Sequence, residues 1–126
     1  MALKYRLIQR GNPGNSEAPK KFYANAVTRG EITTRQLAQE IASISTVSAV
    51  DIMAMIEALL QMIPKHIIEG EIVRLGEFGS FSISITSNGS ETEAAFHSSL
   101  INKPKVVFRP SQEVKKVLTG IKYEKE

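Results

Sequence analysis

The chain has 126 residues, 42% of them hydrophobic and 23% charged, the size and composition of one ordinary folded domain rather than of a disordered tail. It contains no cysteine, which excludes disulfides, thiol catalysis, iron–sulfur clusters and cysteine zinc sites. No stretch approaches ~18 uninterrupted apolar residues and no apolar run follows Met-Ala-Leu-Lys-Tyr-Arg, so no membrane partner and a cytoplasmic location are expected.

The net charge of +3 hides a segregation. Residues 1–35 hold seven basic and two acidic side chains, residues 36–100 two basic and eight acidic, and residues 101–126 seven basic and three acidic. Basic ends flank an acidic middle, and basic ends suggest an anionic partner.

Leu3, Tyr5 and Leu7 alternate with Lys4 and Arg6, the two-residue period of a half-buried strand. Gly11-Asn12-Pro13-Gly14-Asn15-Ser16 is dense in turn formers. A second strand is expected between Lys20 and Val27, so residues 1–30 read as a β-ribbon appendage. Thr33 with Gln36 three residues on makes a capping box, with Ile32 and Leu37 as its staple, opening a helix to about Ile44. Ser48 and Asp51 repeat the arrangement for a second helix, from about Ala49 to Glu69, which Gly70 ends.

That second helix is apolar nearly all round: Ile52, Ile56, Leu59 and Ile63 on one side, with Met53, Met55, Leu60, Met62, Ile67 and Ile68 spreading past it. Such a helix must be covered from several directions. In a chain this short a second copy is the expected cover, the alternative being the centre of a monomer's core. Pro64 removes a backbone donor and predicts a kink between Leu60 and Pro64.

Beyond Gly70 the period changes to two. Val73 and Leu75 flank Arg74, and Phe81, Ile83 and Ile85 alternate with Ser82, Ser84 and Thr86. Asn88-Gly89 predicts a tight hairpin turn. Lys105 to Phe108 reads as the last strand of a sheet, and Pro110-Ser111 opens a helix over residues 112–119 that Gly120 ends, leaving residues 121–126 as a tail.

Catalytic chemistry finds no support. His66 and His97 fall in different elements without metal-ligand partners nearby in sequence, and there is no glycine-rich phosphate loop, nucleophile elbow or His-Glu-x-x-His. Glu91 and Glu93 could chelate a cation but read more simply as solvated. Neither an enzyme, a cofactor nor a small-molecule substrate is expected.

Gly70-Glu71-Ile72-Val73-Arg74-Leu75-Gly76-Glu77-Phe78-Gly79-Ser80-Phe81, preceded by two capped helices and followed by Val107-Phe108-Arg109-Pro110 and a lysine-bearing helix, resembles the HU and integration host factor family of bacterial histone-like DNA-binding proteins. The resemblance covers residues 31–120, and the extra ends are similar to those of a longer HU-related subgroup. It implies an α+β fold: an intertwined homodimer with two N-terminal helices, a three-stranded saddle sheet bearing a β-arm, and a short C-terminal helix. Residues 1–30 add the β appendage and 121–126 the tail. The dimer core would be Ile52, Ile56, Leu59, Ile63, Phe78 and Phe81.

The implied partner is double-stranded DNA in the nucleoid. It would be held largely regardless of sequence through phosphates and bent at the minor groove by the arms, as family members do. Carried across by position, the contacts would come from Arg109, Lys105, Lys103, Lys115, Lys116 and Arg74, each with a solvated surface charge as its simpler reading, and the basic appendage would add Lys4, Arg6, Lys20 and Lys21. The arm differs from the family's. Ser84 and Thr86 stand where arginines are usual, and the tip region reads Glu91-Thr92-Glu93-Ala94-Ala95-Phe96 in place of Arg-Asn-Pro. Glu93, Ala94, Ala95 and Phe96 are the expected tip, with Phe96 as a substitute wedge or as an arm-packing residue. Hence the alternative: a dimeric structural or protein-interaction module on an HU-like scaffold that no longer bends DNA.

Overall fold

In the computed structural model, which describes residues 2–126, both long helices begin where their caps dictate. Helix α1 (Thr34–Ser43) starts after Thr33, whose Oγ1 accepts from Gln36 N while Gln36 Oε1 accepts from Thr33 N at 2.9 Å. Helix α2 (Ala49–Ile67) starts after Ser48, whose Oγ accepts from Asp51 N at 3.2 Å. It runs on through Pro64, and Gly70, at φ +85°, turns the chain away. Each cap satisfies a backbone N–H that the helix's first turn leaves without a partner.

Strands β1 (Leu3–Arg10), β2 (Lys21–Ala26) and β6 (Tyr123–Lys125) form one sheet in the order β2-β1-β6. Strands β3 (Val73–Leu75), β4 (Gly79–Ser84) and β5 (Lys105–Pro110) form a second, in the order β3-β4-β5. Helix α3 (Gln112–Thr119) follows β5. The chain divides into two compact units: residues Ile32–Lys116, and Met1–Glu31 together with Val117–Glu126.

In the first unit α1 packs on α2, and α2 packs on β3 and β4. The antiparallel register pairs Val73 with Phe81, Phe81 with Phe108, and Ile83 with Val106, so these apolar side chains share one face, while Val107, opposite Ser82, lies on the other. Three phenylalanines meet on it, with Phe78 and Phe81 at 5.1 and 4.9 Å from the Phe108 ring centroid. In the other unit β1 and β2 form an antiparallel hairpin and β6 adds to β1 in parallel.

The C-terminal residues are thus sheet rather than a trailing tail: Leu3 N donates to Lys122 O and Glu126 N to Tyr5 O, closing a ladder across the whole chain. The Asn88-Gly89 turn also gives way. Asn88 N donates to Leu100 O, Ser87 bridges Ile101 and Asn102 N donates to Thr86 O, so the arm continues past Asn88 and reverses over residues 89–99. The glycines with positive φ are 30, 70, 76 and 79, and a two-residue turn centred on Asn88-Gly89 would require positive φ at both. A 3-10 turn at Ser98–Leu100 leads the chain back.

Among the described residues only Ala38, Ile52 and Ile67 are buried hydrophobics. Of the expected core, Ile56, Ile63 and Phe81 are half-buried, while Leu59 is 40% and Phe78 51% exposed within the single chain.

Gly79 is the point of closest backbone approach in the β4–β5 pair. A Cβ there would meet the Arg109 carbonyl oxygen and lie 2.8 Å from Phe108 Cε1, at a φ of +153°. Gly79→Ala therefore has to part β4 from β5 or displace the Phe108 ring. We expect it to destabilise the fold by on the order of 2–3 kcal/mol, read as a fall of roughly 10 °C in the thermal midpoint. A midpoint within error of the parent would mean that the close approach relaxes freely.

Candidate nucleic-acid interface

The pairing that collects the apolar side chains on one face of the β3-β4-β5 sheet collects the polar ones on the other. Arg74 is opposite Ser80 and Ser80 opposite Arg109, one continuous row across three strands. Four residues along β5, Lys105 lies opposite Ser84 on that same face, with Ser82 between. Strand spacing places Arg74 and Arg109 about 10 Å apart at the backbone, and strand rise places Lys105 about 13 Å from Arg109. The face presents three cations and three hydroxyls around Val107, which lies opposite Ser82, an arrangement suited to the oxygens of a polyanion.

Arg74, Lys105 and Arg109 are exposed, and none makes an ion pair with a described residue. An internal carboxylate would have to be displaced before an external anion could bind. Among the described residues none intervenes.

Ser111 fixes how α3 leaves the sheet. Its N–H donates to Phe78 O at 3.0 Å and its hydroxyl donates to Glu77 O, tying the β3–β4 turn to the start of the helix. The same Oγ accepts from Val114 N at 3.3 Å, as an N-cap does. On α3, Lys115 is exposed without an ion pair, whereas Lys116 Nζ lies 3.5 Å from Glu113 Oε1 and is in part neutralised. Lys103 is exposed just ahead of β5, where Asn102 Nδ2 donates to Thr86 Oγ1 at 3.2 Å.

The arm's loop holds itself by short-range bonds. Ser90 Oγ donates to Thr92 O, Ala95 N to Thr92 Oγ1, and Phe96 N to Glu93 O, which closes a turn over Glu93, Ala94, Ala95 and Phe96. Glu91 and Glu93 are exposed and Phe96 is 39% exposed. Away from the basic face, His66 Nδ1 lies 2.8 Å from Glu71 Oε1. No group of three or more metal-ligating side chains comes together among the described residues.

The expected basic residues thus fall into two sets. Arg74, Lys105 and Arg109 share a face by register, while Lys103, Lys115 and Lys116 come from segments flanking β5. The row through Ser80 is not visible in the sequence, because it depends on which residue of β4 opposes which of β3 and β5. The alternation of Ser80, Ser82 and Ser84 is its local trace.

No curated protein matches the chain. Among solved structures it is similar to a candidate bacterial DNA-binding protein from Bacteroides vulgatus, with a TM-score of 0.66 and 14% identity over 98% of this chain and 48% of that one. The chain therefore spans about half the length of that relative. It is also similar to HU from Anabaena, determined as a cocrystal with DNA, with a TM-score of 0.56 and 16% identity over 71% of this chain and 99% of that one. At these identities the likeness concerns the fold. A family model described as an HU domain fused to a wHTH, Ig or glycine-rich motif matches residues 1–125. The two capped helices, the three-stranded sheet and the arm are accordingly those of an HU-type domain, and the chain belongs to this HU-HIG family.

Proposed function

We propose that this domain is a non-enzymatic binder of double-stranded DNA, acting as a homodimer and holding the duplex largely regardless of sequence. The observation that carries the reading is the row Arg74–Ser80–Arg109 with Lys105 on the same face, none of the three cations making an ion pair with a described residue. Cations on a rigid sheet can replace the condensed counterions of a duplex, and released counterions drive association without reading bases. Lys103, Lys115 and Lys116 add contacts from either side of β5. The likeness to HU solved with DNA supports the same partner. On this reading the domain would act as an architectural protein of the cytoplasmic nucleoid.

Dimerisation rests on what the single chain leaves uncovered. Met55, Leu59 and Met62 recur at helical spacing along α2 and are 55, 40 and 47% exposed. A cleft of about 270 Å³ between the end of α2 and the sheet is lined by Ile63, Ile67, Phe81, Ile83 and Val106. Patches of this kind mark an interface, and a second copy interlocking with the first would cover them through the expected core of Ile52, Ile56, Leu59, Ile63, Phe78 and Phe81.

A second reading has its own observation. Glu91 and Glu93 are exposed beside the turn at the arm's end, where carboxylates would repel phosphate. A dimeric protein-interaction module on the same scaffold, without DNA bending, would keep such an arm.

Three outcomes are expected. Sedimentation should give a particle of twice the 13.9 kDa chain mass at micromolar concentration, and a monomer there would remove the dimer from the proposal. Fluorescence anisotropy with a ~30 bp duplex should show binding that weakens by orders of magnitude between ~50 and ~200 mM salt, with Arg109→Ala and Lys105→Ala each lowering affinity and reducing the salt slope by about 1. Salt-independent affinity, or none, would sink the DNA reading. Glu91→Gln with Glu93→Gln should tighten binding a few-fold if the arm approaches the duplex. An unchanged affinity would mean that the arm does not approach the duplex.

A further inference from the structure

Most of the chain's positive charge lies outside the interface described above. The unit of residues Ile32–Lys116 holds eight basic and nine acidic residues, a net of −1, whereas the unit formed by both chain ends holds eight basic and four acidic, a net of +4. The register of its sheet concentrates that excess. Lys4, Arg6, Ile8 and Arg10 of β1 share a face with Lys21, Tyr23 and Asn25 of β2. Toward β6 the face is neutralised: Lys4 opposes Glu124, and Arg6 donates to both carboxylate oxygens of Glu126 at 3.0 and 3.2 Å.

At the other end, Arg10 lies directly opposite Lys21, and neither makes an ion pair with any described residue. Like charges in direct cross-strand opposition repel, so the pair costs stability until an anion joins it. The Arg10 guanidinium lies 5.9 Å from the centroid of the Tyr23 ring, close enough for the ring to orient it. Arg10, Lys21 and Tyr23 line a cavity of about 290 Å³ whose remaining wall is the 11–20 loop, including Asn12, Pro13 and Pro19. That loop is held by its own bonds: Asn12 Oδ1 accepts from Gly14 N, Asn15 Oδ1 from Glu17 N, and Asn12 O from Asn15 N.

We propose that Arg10 and Lys21, with Tyr23 orienting the arginine, form a second anion site that takes a backbone phosphate of duplex DNA. It is separate from the Arg74–Arg109 face. An arginine fork and a lysine point charge meeting over one cavity suit the several oxygens of a phosphate better than the single plane of a carboxylate. The inference rests on the DNA reading and adds to it a contact surface in the N-terminal sheet.

The test uses the full chain and the ~30 bp duplex, with affinity measured across ~50–200 mM salt. Arg10→Gln with Lys21→Gln should lower the steepness of the log affinity against log salt dependence by about 1 to 2 and weaken binding about tenfold near 100 mM. The charge-conserving swap, Arg10→Lys with Lys21→Arg, should keep the parental slope, and thermal melting checks that both variants fold. A parental slope in the glutamine variant, while Arg109→Ala and Lys105→Ala still weaken binding, would overturn this site and leave the DNA reading standing. Equal losses in the glutamine and charge-conserving variants would overturn it too, since charge would not be the cause. A parent chain that binds no duplex at any salt would remove the DNA reading and this site together.

Discussion

One constraint governs the Ile32–Lys116 unit: its apolar side chains outnumber the places a single chain has to bury them. A chain of this length ordinarily removes about two thirds of its unfolded surface from water. Here Ala38, Ile52 and Ile67 are the buried hydrophobics among the described residues, and Met55, Leu60, Ile68, Ile72 and Phe78 all remain more than half exposed. Burying an apolar side chain of that size stabilises by about 1.5–3 kcal/mol, comparable with an appreciable part of the ~5–15 kcal/mol that holds an ordinary domain together. In the proposed homodimer, folding of such a unit and covering of its α2 face would be one process.

The same burial requirement sets up the basic face. Because side chains alternate along a strand, the register that turns Val73, Phe81, Phe108, Ile83 and Val106 toward the apolar side also turns Arg74, Ser80, Arg109, Ser84 and Lys105 away from it. A slip of one residue between β4 and β5 would expose the phenylalanines and bury the cations. The core thus specifies the interface. Gly79 and Ser111 lock that register from two directions, Gly79 by letting the β5 backbone and the Phe108 ring approach where a Cβ cannot fit, and Ser111 by bonding to Glu77 O and Phe78 O across the β3–β4 turn.

Local chemistry was the legible part of the sequence. The caps at Thr33 and Ser48, the helix after Ser111 and the strand from Lys105 all stand where adjacent residues place them, because a cap or a two-residue period is decided within a few positions. What depended on distant pairing was not legible. The β6 strand is three residues of mixed polarity, and it becomes a strand through bonds to β1 some 120 residues away, for which no local period exists. Asn88-Gly89 carries a strong local turn signal, yet the pairs Ser87–Ile101 and Asn88–Leu100 carry the arm beyond it. The site divides in the same way: Arg109 and Lys105 were visible from the strand and helix around them, whereas the Arg74–Ser80–Arg109 row and the Arg10–Lys21 opposition exist only once a register is fixed.

Net charge is a poor guide to such a molecule because of the range over which charges act. At physiological ionic strength the screening length is about 8 Å, so a phosphate on the β3-β4-β5 sheet would respond most to the charges nearest it, Arg74, Arg109 and Lys105 among them. A unit of net −1 could therefore hold DNA on one face, provided the cations there are not neutralised by their own neighbours, and among the described residues none of the three makes an ion pair. What the balance of charge does govern is the approach. Long-range steering follows the summed field, and a body whose acidic and basic residues nearly cancel gives a weak one. Under the DNA reading, the unit built from the two chain ends, at +4, would supply the field that the body lacks. Division of labour between a locally basic face and a globally basic appendage gives the segregated charge of this sequence a physical reason: the body would contribute mainly to how long DNA stays, and the appendage to how readily it arrives.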